Sequence, residues 1–157
     1  MFGGKFIPFH NGHRYCLEVA SSQCDTVYCI MFINGKDEEN IPLTDNQKKM
    51  RLDHFFNAVK DYKNVIPCVI DVSKCRTKDD KEDWDAETPL VRNIVGDRLD
   101  RIYSSEPSYG AYFHRAYPEA KHILVDPDRI KYPISGTKIR AMIKNGDESW
   151  KDHVTIR

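Results

Sequence analysis

The residues best suited to do chemistry stand together near the start of the chain, in Gly4-Lys5-Phe6-Ile7-Pro8-Phe9-His10-Asn11-Gly12-His13. Gly4 lets a ligand approach the backbone closely, Pro8 sets a turn, and Asn11-Gly12 can open a helix whose first N–H groups have no intrahelical partner. His10 and His13 lie three apart, so at a helix start both imidazoles project to the side those N–H groups face. Hydrogen-bond donors, a helix N-terminus and a lysine in one place suit a phosphate group. Two other readings compete. His-x-x-His is half of a zinc site, yet His54, His114 and His122 fall on separate elements and supply no third ligand at a suggestive spacing. The two histidines can also be plain surface residues, though the Gly, Pro and Lys around them weigh against both alternatives.

Such a site needs strands and helices to hold it. The run Asp25-Thr26-Val27-Tyr28-Cys29-Ile30-Met31-Phe32-Ile33 is almost unbroken in apolar character, as expected of a strand buried on both faces. Asn64 to Val72, Arg101 to Ser104 and His122 to Asp126 read the same way, and a first strand precedes the histidine stretch. Between them lie helical periods. Leu52, Phe55, Phe56 and Val59 follow the one-face spacing behind a Thr44-Asp45 start, and Leu17, Ala20 and Cys24 do so after Asn11. Pro107 to Tyr117 and Ser135 to Lys144 suit two more helices, the last closed by Asn145-Gly146. Strands separated by helices imply parallel crossovers, hence an open α/β sheet with helices on both faces and a ligand at the carboxyl ends of the strands, at the switch point. The charged segment from Ser73 to Asp85 has no period; it reads as a solvated loop, or else as a lid over a site.

Composition narrows the classes. A length of 157 residues suits one domain spanning residues 1–157, and 11% aromatics is too many for a disordered chain. The balance of 24 Lys and Arg against 24 Asp and Glu leaves no net field to gather nucleic acid or an anionic membrane surface, so any polyanion must be held locally. No run reaches the roughly 18 apolar residues of a membrane span, and Met1-Phe2-Gly3-Gly4-Lys5 has no apolar signal core, so a cytoplasmic location is expected. The five cysteines, Cys16, Cys24, Cys29, Cys68 and Cys75, are odd in number and irregular in spacing, and read as reduced thiols packed as small hydrophobes. Trp150 and Val154 could cover the sheet or a second copy of the chain in a homo-oligomer.

Far along the chain from the histidines stands Ile134-Ser135-Gly136-Thr137-Lys138-Ile139-Arg140. The two stretches together resemble the H-x-G-H and I-S-[SG]-T-x-I-R halves of the signature of the nucleotidyltransferase superfamily, whose members transfer a nucleotidyl group to a phosphate with loss of pyrophosphate. Within it, Lys5, Ser105-Glu106, Val125-Asp126-Pro127-Asp128-Arg129 and Gly136 look like the bacterial nicotinamide mononucleotide (NMN) adenylyltransferases of the type fused to a ribosylnicotinamide kinase. That kinase needs a G-x-x-x-x-G-K-[ST] loop, which this sequence lacks. The first strand is also shorter than the family's. The resemblance implies a Rossmann-like open parallel sheet in a single domain, and an enzyme that joins NMN and ATP into NAD and pyrophosphate with Mg²⁺ carried by ATP.

It also implies roles. His10 and His13 would face the triphosphate and the transition state, with Lys5 and Arg140 neutralising phosphate charge. The ATP site would further take in Gly4, Phe6, Arg129, Ser105 and Glu106 near the ribose, and the amides around Ser135, Gly136 and Thr137 at the β- and γ-phosphates. Trp84 would stack on the nicotinamide ring and Arg51 would reach the NMN phosphate. Each has a plainer reading: Trp84 as a core anchor, Arg51 and Arg129 as surface residues, Ser105 and Glu106 as the end of a strand. Rival activities are a phosphopantetheine adenylyltransferase, a glycerol-phosphate-type enzyme using CTP, and a nucleotide sensor without catalysis. An aminoacyl-tRNA synthetase is disfavoured by length and by the missing lysine-rich second signature.

Overall fold

In the computed structural model of the chain the residues described are 1–35 and 44–154. The apolar runs become β1 (Phe2–Gly4), β2 (Val27–Ile33), β3 (Val65–Asp71), β4 (Arg101–Ser104) and β5 (Lys121–Leu124). They form one parallel sheet in the order β3-β2-β1-β4-β5. Strand β2 shows why its run carries no polar alternation: Cys29 and Met31 enter one core with Leu17 and Phe55, while Ile30 enters the other with Val91 and Tyr117. With both faces covered, Cys29, Ile30 and Met31 are wholly buried although they point to opposite sides of the sheet.

Helices α1 (Asn11–Gln23) and α2 (Asp45–Val59) pack on the first face, and α3 (Trp84–Val95) and α4 (Gly110–Ala116) on the second. Helix α5 (Gly136–Lys144) follows β5. This is the open α/β architecture expected from the alternation of periods. The sheet order runs outward from β1 to β3 and then reverses to β4 and β5, so the switch point lies between β1 and β4. The chain leaves these strands at Gly4 and Ser104, and a crevice between such diverging ends is where ligands of this architecture sit.

Several boundaries differ from expectation for local reasons. Strand β5 stops at Leu124 because Asp126 takes positive φ (49°) and its carboxylate accepts the backbone N–H groups of Ile130, Lys131 and Tyr132. The helix expected from Pro107 to Tyr117 begins as a 3₁₀ turn, Pro107–Tyr109, capped by Glu106. Helix α3 starts at Trp84 itself, capped by Asp83, and holds Pro89 and the buried Glu87, both of which break an apolar period. The charged segment before it is an ordered hairpin: the N–H of Thr77 donates to the Lys81 carbonyl at 2.8 Å and that of Asp83 to Cys75 at 2.9 Å. Trp150 and Val154 pack with Ile134 and Ile139 and not on the sheet, as the last 3₁₀ helix, Glu148–His153, folds against α5. All five cysteines are free thiols, and burial pushes the Cys16 thiol up to about 12. Among the described residues no helix is long and apolar enough to cross a membrane.

Candidate functional site

His10 is the N-cap of α1, one residue earlier than Asn11-Gly12 suggested. Its Nδ1 accepts the backbone N–H of Gly12 at 3.1 Å and of His13 at 3.4 Å, and the N–H of His10 donates to Nδ1 of His13 at 3.2 Å. Two imidazoles thus build a capping box. The chemical consequence is a fixed tautomer. With both Nδ1 atoms used as acceptors, a neutral ring must carry its proton on Nε2, where it is a donor. The rings stack with centroids 3.6 Å apart, and Phe6 meets His13 edge-on at 4.9 Å, which locks both orientations.

Burial lowers the His10 pKa to about 4, with the charges of Arg129 and His153 adding to it. His13 is also held well below the ordinary histidine value, first by burial and then by His10 and Arg129. At neutral pH the pair therefore offers two uncharged N–H donors, and any anion here must find its counter-charge on other residues.

Those come partly from the second motif. Helix α5 begins at Gly136, with the Ser135 hydroxyl accepting the N–H of Lys138 at 3.2 Å, so the amides of Gly136 and Thr137 lie outside its hydrogen-bond ladder. Arg140 Nη1 donates to the Ile7 carbonyl at 2.7 Å and Nη2 to the Thr137 hydroxyl at 3.2 Å. That first bond joins the two motif halves directly. A Cβ at Gly136 would stand 2.9 Å from Arg140 Nη1 and 3.2 Å from the Ile7 carbonyl oxygen, so a glycine is what allows the helix start to close on the first loop. Arg129, with φ of 52°, donates to the Ile134 carbonyl at 2.9 Å and ties the loop after β5 to the same place.

One cavity of roughly 490 Å³ is lined by both halves, a size suited to a nucleotide-like ligand. Gly4, Lys5, Phe6, His10 and His13 face it from the first loop, and Ser135, Gly136, Thr137 and Arg140 from the second. Ser105, Glu106 and Arg129 line it after β4 and β5, and Trp84 lines it from the start of α3. Arg51 does not: its guanidinium donates to the carbonyls of Lys5 and Phe32 and so holds the ends of the β1 and β2 segments together.

Among the lining residues that sequence reasoning missed are Glu82, Glu87, Tyr109 and Tyr112. Lys5 Nζ pairs with the Glu82 carboxylate at 3.0 Å, and Trp84 meets Tyr109 and Tyr112 edge-on at 4.9 and 5.1 Å. Asp83-Trp84 and the spacing of Tyr109 and Tyr112 are visible in the sequence, but nothing local says which way these rings face. The zinc reading finds no support in the geometry, since among the described residues no group of three His, Cys, Asp or Glu side chains is placed to hold a metal ion.

Residues 1–142 match the model of the cytidylyltransferase-like family. The chain belongs to that family. It is accordingly a nucleotidyltransferase. Over 157 residues it is 26% identical to the nicotinamide-nucleotide adenylyltransferase of Methanocorpusculum labreanum, a match covering 98% of this chain and 83% of that protein. It is 28% identical to the phosphopantetheine adenylyltransferase of Mycoplasma mycoides subsp. mycoides, covering 89% and 92%. Among solved structures, NadR in complex with NAD and AMP-PNP shares the fold at a TM-score of 0.67 and 18% identity; the match covers 92% of this chain and 42% of that one, so this chain spans less than half its length.

For a cytidylyltransferase-like chain with this histidine box, pH should act on stability in a defined direction. The folded pKa of His10 lies below its unfolded value, so the unfolded chain binds the proton more readily between about pH 6.5 and 4. Stability is then complete above the unfolded value and falls as pH drops, by up to about 3 kcal/mol from His10 alone. Thermal melts of the free protein from pH 7.5 to 5 should show the midpoint falling, and His10→Asn, which keeps a capping acceptor, should flatten the slope. A midpoint that holds steady through this window would show that the imidazoles are not buried as described.

Proposed function

We propose that the chain transfers the adenylyl group of ATP to the phosphate of NMN, giving NAD and pyrophosphate. One observation carries this reading: a single cavity is lined both by the donors His10, His13 and Arg140, which suit phosphate, and by the aromatic cluster of Trp84 with Tyr109 and Tyr112, which suits a flat ring. The nicotinamide-nucleotide adenylyltransferase that aligns with 98% of the chain supports it.

An oxygen of the NMN phosphate forms the new bond to the α-phosphorus, and the bond from that phosphorus to the bridging oxygen breaks, its electrons leaving on pyrophosphate. The attacking group is already an anion and needs no strong base, so catalysis is placement plus stabilisation of charge on the equatorial oxygens. The Nε2–H groups of His10 and His13 serve as preorganised donors to those oxygens. Arg140 supplies charge through the N–H groups its Ile7 and Thr137 bonds leave over, and the Gly136 and Thr137 amides receive the outer phosphates. Lys5 adds charge from its place on Glu82, Arg129 adds a second guanidinium, and Gly4 and Phe6 let the backbone approach. Ser105 and Glu106 face the ribose. Arg51 positions Lys5 through the carbonyl it holds. Among the described residues no three carboxylates are grouped to cage an ion, so Mg²⁺ accompanying ATP would be held mostly by phosphate and water and would supply neutralisation of the triphosphate.

The nicotinamide ring is flat and cationic, so an aromatic face is its natural partner. Trp84→Ala should raise the KM for NMN about tenfold or more while leaving that for ATP within about twofold. An unaltered KM for NMN would take Trp84 out of the acceptor site.

The phosphopantetheine adenylyltransferase relative supports a second reading, transfer of adenylyl to 4′-phosphopantetheine. A panel of ATP and CTP against NMN, 4′-phosphopantetheine and glycerol 3-phosphate, scored by pyrophosphate release, decides between them. Turnover with NMN and ATP alone is the expected result. Binding of ATP without pyrophosphate from any acceptor would instead mark a sensor.

A further inference from the structure

Beside Trp84 the cavity holds a carboxyl group that the adenylyl transfer described above does not use. Glu87 sits one helical turn after Trp84 on α3 and is only 6% exposed. Its Oε1 is buried with no hydrogen-bond partner among the described residues, yet Glu87 lines the cavity together with Glu82, Trp84 and Tyr112. A buried charged residue with an unused acceptor is costly unless something satisfies it.

The neighbours define what Glu87 can accept. Burial pushes its carboxyl up to about 8, and the adjoining Glu82 carboxylate, with which it shares a hydrogen bond, pushes the same way. Burial also acts to raise Glu82, but the bond from Glu87 and the ammonium of Lys5 outweigh that and hold it below the usual carboxylate range. The three groups thus form a chain at neutral pH: Lys5 as a cation, Glu82 as an anion, and Glu87 neutral with its proton turned toward Glu82. The Glu87 oxygen left over is then a pure acceptor, backed by a negative charge. A primary amide can donate an N–H to it. A carboxylate in the same place would bring lone pairs against lone pairs and a negative charge against Glu82.

We propose that Glu87, oriented by Glu82, is a specificity-determining residue that selects an acceptor nucleotide whose flat ring carries a carboxamide and rejects the same nucleotide carrying a carboxylate. The inference rests on the reading of Trp84 as the ring's stacking face. In those terms the substrate is nicotinamide mononucleotide and the excluded analogue is nicotinate mononucleotide.

The test compares kcat/KM for the two mononucleotides, with saturating ATP, in the wild-type protein and in Glu87→Leu, Glu87→Gln and Glu82→Gln. The wild type should favour the amide by about a hundredfold or more, as sites built to hydrogen-bond a polar group do. Glu87→Leu should bring the ratio to within about tenfold of unity, chiefly by losing amide turnover. Glu87→Gln keeps a neutral side chain with an outward carbonyl oxygen and should preserve the ratio within a few fold, a rescue that a packing role alone would not produce. Glu82→Gln should raise use of the carboxylate form. Equal use of both forms by the wild type overturns the proposal while leaving the adenylyl transfer intact, as does a ratio that Glu87→Leu leaves unchanged. If neither mononucleotide is used, the proposed function fails and this inference with it. Because the wild-type comparison needs no variant, poor folding of Glu87→Leu does not protect the proposal.

Discussion

Replacing His13 with asparagine is expected to lower kcat by about a hundredfold or more with little change in the KM for ATP. The reason lies in the division of labour within the ring. Nδ1 of His13 accepts the N–H of His10 and closes the start of α1, while Nε2 is left as a donor. An asparagine oxygen reaches about as far as Nδ1, so the variant keeps the cap and loses only the donor. His13→Ala loses both, and should add a loss of about 1 kcal/mol of stability to the same kinetic defect. Steady-state kinetics paired with thermal melts separate the two contributions. If kcat survives in a well-folded His13→Asn protein, the ring belongs to the helix cap and not to the transition state.

The second large effect concerns Arg140. Its guanidinium is anchored on the Ile7 carbonyl and the Thr137 hydroxyl, so its remaining N–H groups are presented in a fixed plane at the meeting point of the two motifs. Arg140→Ala should weaken ATP binding by about 10- to 100-fold, the worth of charge-assisted bonds to a phosphate. Arg140→Lys should recover little of it, because a single ammonium cannot hold Ile7 and a phosphate oxygen together. Isothermal titration with a non-hydrolysable ATP analogue measures this without turnover. Full affinity in Arg140→Ala would move the triphosphate away from α5. Failure in Arg140→Ala with success in Arg140→Lys would mean that charge alone, and not the fork, is what the site needs.

The same residues show why parts of this molecule are legible in one dimension. Strand β2 declares itself because burial on both faces removes every polar position from the run. The start of α5 declares itself through a serine cap and a glycine, both needed by local backbone geometry. Glu87 is silent because an acidic residue in the first turn of a helix is ordinary on local grounds, and only the packing of α3 against the sheet buries it. The 73–83 hairpin is silent for a related reason. Its charges read as solvated, and its backbone bonds to Lys81 and Cys75 are not encoded by any periodicity.

Sequence by itself determined the alternation of strands and helices, the phosphate-seeking character of His10-Asn11-Gly12-His13, and the kinship of that stretch with Ser135-Gly136-Thr137 and Arg140, because these depend on burial pattern and on short-range backbone chemistry. Tertiary structure alone decided that Arg140 reaches Ile7, that Lys5 is met by Glu82, and that Glu87 is buried where it lines the same cavity as Tyr112. Each of those facts depends on which distant segments share a crevice, and that is set by the order of strands in the sheet and not by any neighbour along the chain.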